Sequence, residues 1–293
     1  MSEITFEPIK EHIGAIAHVE RARLCDSDIV AACRAELDMR GILVFPRLNL
    51  TDAEQLAFTD SFGQRVNFSR TVPGGQDADE EDVYKITLDK KVNGEPEYVL
   101  GTYFWHMDGV TIDQPLPKAT FLSARKLSPW GGQTEFASTF AAYEALSDEQ
   151  KSEYEDLQVI HRMEAGMVPV YPIEMPRERL HRYRNMATHM VHPLVWEQAG
   201  GRKSLVIGRH ADEVIGRPLA DGRALIARLI EWAAQPDFSY SHEWQEGDFV
   251  VWDNCGVIHR VVPYDADSGR VMHRTTIMGD LQVGRPLREL QPT

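Results

Sequence analysis

Gly247-Asp248-Phe249-Val250-Val251-Trp252-Asp253-Asn254-Cys255-Gly256-Val257-Ile258-His259-Arg260 reads as a buried strand, a turn, and an apolar stretch that delivers one histidine. A short apolar run bounded by turn residues fits a strand covered on both faces. Gly269-Arg270-Val271-Met272-His273-Arg274-Thr275-Thr276-Ile277-Met278-Gly279-Asp280 follows, and predicts a strand over 270–278. Alternation puts Arg270, Met272, Arg274 and Thr276 on one face, with the two arginines about 13 Å apart. A planar guanidinium fork suits carboxylate or sulfonate oxygens, so the pair offers two anion contacts; the same pattern also fits a solvated strand face.

Upstream, Trp105-His106-Met107-Asp108 closes the apolar stretch Tyr103-Phe104-Trp105. In a strand His106 and Asp108 project from one face, about 6.6 Å apart along the chain, so one imidazole and one carboxylate can meet one metal ion. Alone, the tripeptide is equally an exposed strand-end histidine and a turn aspartate. His259 adds a second imidazole. Two histidines and one carboxylate on one face of Fe(II) leave positions open for substrates, unlike a closed structural zinc site.

Around these segments the chain alternates helices and strands. Asp28 to Arg40 has helical spacing, 41–45 is a short buried strand ended by Pro46, and Thr51-Asp52-Ala53-Glu54 is a capping box opening a second helix. Residues 69–82 read as a loop. Strands are expected at 83–88, 98–105 with an Asn93-Gly94 turn before it, 119–127, 239–244 and 248–252. Ser147-Asp148-Glu149-Gln150 caps a polar helix, and 220–234 is an amphipathic helix. The segment 163–202 shows no clean period and reads as an irregular insertion. No linker divides the 293 residues, so a single domain is expected over 1–293, mainly β with flanking helices, its first 65 residues packed on the β core.

Lys and Arg number 31 against 45 Asp and Glu, a net charge of −14, with 43% of residues hydrophobic. Such acidity repels phosphate backbones, and no basic run offers an exception, so neither nucleic acid nor an anionic membrane is an expected partner. Residues 74–97 and 141–157 carry most of the excess acid, which leaves the arginine strand close to neutral surroundings. Three cysteines without CxxC spacing fit a reducing compartment, and the acidic N-terminus lacks the features of a signal peptide; a cytoplasmic, soluble protein is expected. Its expected partners are a small-molecule substrate and further copies of itself in a homo-oligomer.

His106-x-Asp108, His259, and arginines 11 and 15 residues beyond that histidine resemble the taurine dioxygenase (TauD/TfdA-type) family of Fe(II)/2-oxoglutarate-dependent dioxygenases. Trp105-His106-Met107-Asp108 is similar to the family's Trp-His-x-Asp, Gly131-Gly132-Gln133-Thr134 to its Gly-Gly-Asp-Thr, and 270–280 to its closing strand. The resemblance runs from about residue 35 to 282. It implies a double-stranded β-helix, a jelly-roll-like pair of sheets with the metal at its mouth. It further implies His106, Asp108 and His259 as iron ligands, Arg270 and Thr134 as contacts of the 2-oxoglutarate carboxylate, and Arg274 facing the substrate. The implied reaction consumes O2 and 2-oxoglutarate, gives succinate and CO2, and hydroxylates a C–H bond. Halogenating relatives replace the carboxylate ligand by a small residue, so Asp108 implies hydroxylation, or cleavage through an unstable hydroxylated carbon.

After Phe62-Gly63 the family's His-x-His-Pro-x-Tyr stretch is replaced by Val66-Asn67-Phe68-Ser69-Arg70-Thr71. Taurine is therefore not the expected substrate. A larger, less polar molecule with a carboxylate, sulfonate or sulfate fits better, with Phe68 and Trp130 as apolar wall, Arg274 on the anion, and Arg70 as a second contact or a solvated loop residue. His189 and His192 read as loop or surface residues. Cys255, Trp232, Trp244 and Trp252 read as core. A zinc or manganese hydrolase, or a cupin-like isomerase, uses a similar His/Asp/His set but has no reason to place Arg270 beside Thr134.

Overall fold

The computed structural model describes residues 4–66, 83–93, 99–167, 178, 181 and 189–290. Two helices, α1 (Ser27–Arg40) and α2 (Asp52–Phe62), precede most of the sheet structure. Gly41 ends α1 at φ 74°, a left-handed position that favours glycine, and an added Cβ would stand 2.8 Å from Val257 Cγ2. The capping box opens α2: Glu54 N donates to Thr51 Oγ1 at 3.3 Å, and Thr51 N donates to Glu54 Oε2 at 2.7 Å.

The strands in chain order are β1 (Thr5–Pro8), β2 (Ala15–His18), β3 (Ile42–Phe45), β4 (Tyr84–Ile86), β5 (Pro117–Lys126), β6 (Thr134–Ser138), β7 (Gln158–His161) and β8 (Met190–Pro193). They continue with β9 (Val195–Glu197), β10 (Lys203–Leu205), β11 (Ala211–Val214), β12 (Ser239–His242), β13 (Phe249–Asp253), β14 (Val257–Val261), β15 (Val271–Met278) and β16 (Arg285–Pro286). A seven-stranded sheet runs β1-β2-β3-β13-β5-β15-β4; smaller sheets run β12-β6-β14 and β11-β7-β8-β16, and β9 pairs with β10. Only β2 and β3 pair in parallel among these ladders.

The large sheet is buried on both faces, and period-two alternation sorts its side chains. Leu43, Phe45, Phe121, Phe249 and Val251 pack with Phe58 and Phe62 of α2. Ile42, Val44, Leu122, Val250, Trp252 and Met272 point the other way and meet Phe136 of β6 and Val257 of β14 across the jelly-roll interior. On β15 the face opposite Arg274 is tied to α2, because Gln55 Nε2 donates to the His273 carbonyl at 3.0 Å and Thr59 and Thr275 hydroxyls lie 2.7 Å apart. These contacts turn Met272 and Arg274 toward the interior.

Three expectations differ from the fold. Where a strand is expected over 98–105, the described residues 99–103 instead form a helical turn, with a 3-10 helix at Gly101–Tyr103; Gly101 packs under the Arg209 guanidinium, a long-range contact that overrides the aromatic β propensity. The 163–202 segment contains a short helix at Met163–Met167 and, beyond the undescribed residues, β8 and β9. Trp232 is 37% exposed and donates from its indole to the Ala142 carbonyl at 2.8 Å, so it edges the core. Among the described residues no helix is long and apolar enough to cross a membrane.

Candidate active site

His106 pairs with β14 through an isolated two-bond bridge: His106 N donates to the His259 carbonyl and His259 N to the His106 carbonyl, each at 3.0 Å. The pairing sets the two imidazoles side by side, with ring centroids 4.2 Å apart. Met107 turns into the core, and Asp108 returns to the face of His106. His106 Nε2 lies 3.9 Å from Asp108 Oδ1, and His259 Nε2 lies 3.8 Å from Asp108 Oδ2. Ligating atoms of all three residues fall within 4.8 Å of one another, the one such cluster among the described residues.

The groups are prepared for a cation. His106 Nδ1 donates to the Phe104 carbonyl at 2.8 Å, because that oxygen can only accept, and Nε2 therefore keeps its lone pair. Burial lowers His106 to about 4 and His259 well below the ordinary histidine range, so both are neutral at pH 7. Burial alone would raise Asp108, but Arg274 and its other neighbours outweigh this and hold it at about 2. Two neutral imidazoles and one carboxylate are a donor set for an octahedral divalent metal with open positions.

A small, partly open pocket leaves this cluster on the β15 side. Ile86, Leu122 and Met272 form apolar wall, and Arg270 and Thr134 supply polar groups. Arg270 is 4% exposed; its Nη2 donates to the Gly132 carbonyl at 3.1 Å, its guanidinium stacks 4.7 Å from the Tyr264 ring centroid, and buried Nε has no hydrogen-bond acceptor. A buried guanidinium with an unused donor invites an anion. Gly132, at φ 81°, gives it passage, since an added Cβ would stand 3.0 Å from Arg270 Nε. Thr134 Oγ1 accepts from Trp244 Nε1 at 2.9 Å, which directs its hydroxyl proton elsewhere.

A second small pocket reaches both His106 and Asp108 and is lined by Thr111, Met163, Arg209 and Arg274. Arg274 Nη2 donates to Asp108 Oδ2 at 2.9 Å, and its Nε to Thr276 Oγ1 at 3.3 Å. Arg209 reaches this pocket from a turn after β10, where Arg209 N donates to the Trp105 carbonyl at 2.8 Å. Gly208 lets that turn close on the site: at φ 140°, an added Cβ would be 3.1 Å from His106 Cα.

The fold thus brings together His106, Asp108, His259, Thr134, Arg270 and Arg274. Phe68 and Arg70 lie outside the described residues. Trp130 is 58% exposed and lines neither pocket. His192, expected at a loop or surface, is 1% exposed on β8 and donates from Nε2 to the Val110 carbonyl at 2.9 Å, bracing the loop after Asp108. Sequence reasoning missed Arg209 and the polar role of Trp244. The available signal for Arg209 was a lone basic residue directly after the apolar run Leu205-Val206-Ile207 and a glycine.

Residues 5–276 match the model of the family described as "Taurine catabolism dioxygenase TauD, TfdA family". The alpha-ketoglutarate-dependent 2,4-dichlorophenoxyacetate dioxygenase of Burkholderia sp. (strain RASC) is 35% identical over 83% of this chain and 84% of its own. The (S)-phenoxypropionate/alpha-ketoglutarate-dioxygenase of Sphingobium herbicidovorans is 32% identical over 93% of this chain and 94% of its own. The crystal structure of AAD-2 in complex with Mn(II) and N-oxalylglycine superposes with a TM-score of 0.78 at 29% identity, covering 96% of this chain and 99% of that one. With sequence, fold and site in agreement, the chain belongs to the TauD, TfdA family and is a 2-oxoglutarate-dependent dioxygenase.

Proposed function

We propose that the protein uses Fe(II), 2-oxoglutarate and O2 to hydroxylate a small organic anion, with His106, Asp108 and His259 as the iron ligands. The observation that carries this reading is the buried Arg270, with an unused donor, in a pocket that His106 and His259 also line. A zinc hydrolase has no need of that cation. Bound iron and 2-oxoglutarate supply O2-driven decarboxylation to succinate and CO2, coupled to oxidation of a C–H bond.

The chain's own groups do the rest. Arg270 takes the distal carboxylate of 2-oxoglutarate, with Thr134 donating a second hydrogen bond, and the apolar wall from Ile86, Leu122 and Met272 accommodates the methylenes. Arg274 and Arg209 face the substrate pocket and favour a carboxylate, sulfonate or sulfate. The similarity to dioxygenases of phenoxyacetate and phenoxypropionate supports an aryloxyalkanoate-like acid, a larger and less polar substrate than taurine.

Succinate release from 2-oxoglutarate, with Fe(II), ascorbate and O2, measured across aryloxyacetates, alkylsulfonates and alkyl sulfates, tests the reading. Substrate-dependent succinate is expected from at least one class. No succinate with any of them, alongside tight zinc binding, would replace the oxygenase by a hydrolase.

A further inference from the structure

Asp108 is joined to the turn between β13 and β14 by a chain of hydrogen bonds whose direction is set at its first member. The Trp252 indole N–H can only donate, and it lies 2.9 Å from Asn254 Oδ1. The Asn254 amide nitrogen therefore faces the other way, and donates to Thr120 Oγ1 at 2.9 Å. With that lone pair engaged, the Thr120 hydroxyl proton points at Asp108 Oδ2, 3.2 Å away. Trp252, Asn254 and Thr120 are all buried, so water does not compete for these bonds.

The turn carrying Asn254 is itself fixed. Cys255 N donates to Asp253 Oδ1 at 2.8 Å, Lys118 Nζ donates to Asp253 Oδ2 at 2.7 Å, and Asn254 N donates to the Lys118 carbonyl at 2.9 Å. Asp108 Oδ2 also accepts from Arg274 Nη2. Two donors on Oδ2 leave Oδ1 as the oxygen available to a cation.

We infer that Asn254 is a positioning residue for the metal centre: through Thr120 it holds the Asp108 carboxylate so that a single oxygen, Oδ1, meets the metal. This rests on the assignment of Asp108 as a ligand. Groups that orient ligands in this way typically change metal affinity about 10- to 100-fold when removed.

The test is anaerobic titration of the metal-free full chain with Fe(II) and Mn(II), read as Kd without turnover, with melting temperature recorded for each variant. Thr120→Val, which keeps shape and removes the hydroxyl, is expected to weaken Kd about tenfold or more. Thr120→Ser, which restores the donor, should bind within about twofold of wild type, on the same expectation for an orienting bond. Asn254→Leu should weaken binding, and adding it to Thr120→Val should cost little more, because both act along one path. Wild-type affinity in Thr120→Val, failure of Thr120→Ser to restore it, or additive losses in the double variant would overturn the inference. If Asn254→Leu does not fold, Trp252→Phe, which removes the N–H that orients the Asn254 amide, takes its place: weakened binding is expected, and wild-type affinity there would overturn the role of Asn254. Asp108→Ala separates the two levels: retained metal affinity there would remove the ligand assignment itself, whereas its loss beside an unaffected Thr120→Val removes only the relay.

Discussion

The two pockets that meet at His106 are built from different material. The one holding Arg270 takes its polar groups from strand β6 and from the residue just before β15, and its walls from the jelly-roll interior. The one holding Arg209 is assembled from the stretch 101–112, Met163 and the turn at 208–210, and takes one strand residue, Arg274 of β15, which lines both pockets. Strand parity and a two-sided core dictate the first, so it tolerates little change. Loops shape most of the second, which can vary without disturbing the Arg270 side.

The comparison breaks most completely at its shared point. His106→Ala or Asp108→Ala should reduce metal-dependent turnover more than about a thousandfold, a loss of ~4 kcal/mol or more in transition-state stabilisation. Wild-type-like rates would show that the pockets meet around something else.

Next in size, Arg270→Ala should raise the KM for 2-oxoglutarate about a hundredfold, roughly the 3 kcal/mol of a buried charged hydrogen-bonded pair, with a small effect on substrate KM. Arg274→Ala should lower kcat as well as raise substrate KM, because the same guanidinium holds Asp108. Equal effects on both substrates from either variant would erase the division of labour.

Acid probes the loop side through His192. Burial lowers its pKa from 6.5 to about 4, so below pH 6.5 the unfolded chain takes up a proton that the folded one refuses. Stability is thus retained above pH 6.5 and lost as pH falls toward 4, with His192 contributing at most about 3 kcal/mol across that window. His161, His210, His106 and His259 shift in the same direction and steepen the loss. His192→Gln, which can donate to Val110 without titrating, should flatten the melting-temperature profile of the metal-free protein between pH 6.5 and 4. An unchanged slope would remove His192 from the account.

Smaller effects sharpen the contrast. Arg209→Ala should raise substrate KM about tenfold, ~1.4 kcal/mol, and leave 2-oxoglutarate KM within about twofold. Trp244→Phe removes the N–H that orients Thr134 and should raise only 2-oxoglutarate KM, by about fivefold, or ~1 kcal/mol. If Trp244→Phe moves substrate KM instead, Thr134 serves the other pocket.

What the residues disclosed in advance follows the same division. Local alternation was enough to place β13 and β15, and with them the facing of Arg270 and Arg274, because both strands are buried and their period is short-range. His106 and Asp108 were found for the wrong local reason: they share a face through a bridge to β14 and the turn after it, with no long strand before them. β8 was hidden because its middle carries His192, a polar residue whose partner, the Val110 carbonyl, is remote in sequence. Arg209, Trp244 and Asn254 were illegible for that reason too. Each does its work on a residue far along the chain, and spacing within a segment carries no trace of it.

The reciprocal backbone bonds between His106 and His259 also set a timetable. The chain grows from its N-terminus, so His106 and Asp108 emerge long before the strand that carries His259. Until that strand docks, the early pair lacks its third donor and the carbonyl that fixes its backbone. Metal capture is thereby deferred until β14 has docked, and occupancy of the centre becomes a report that these two distant segments have paired.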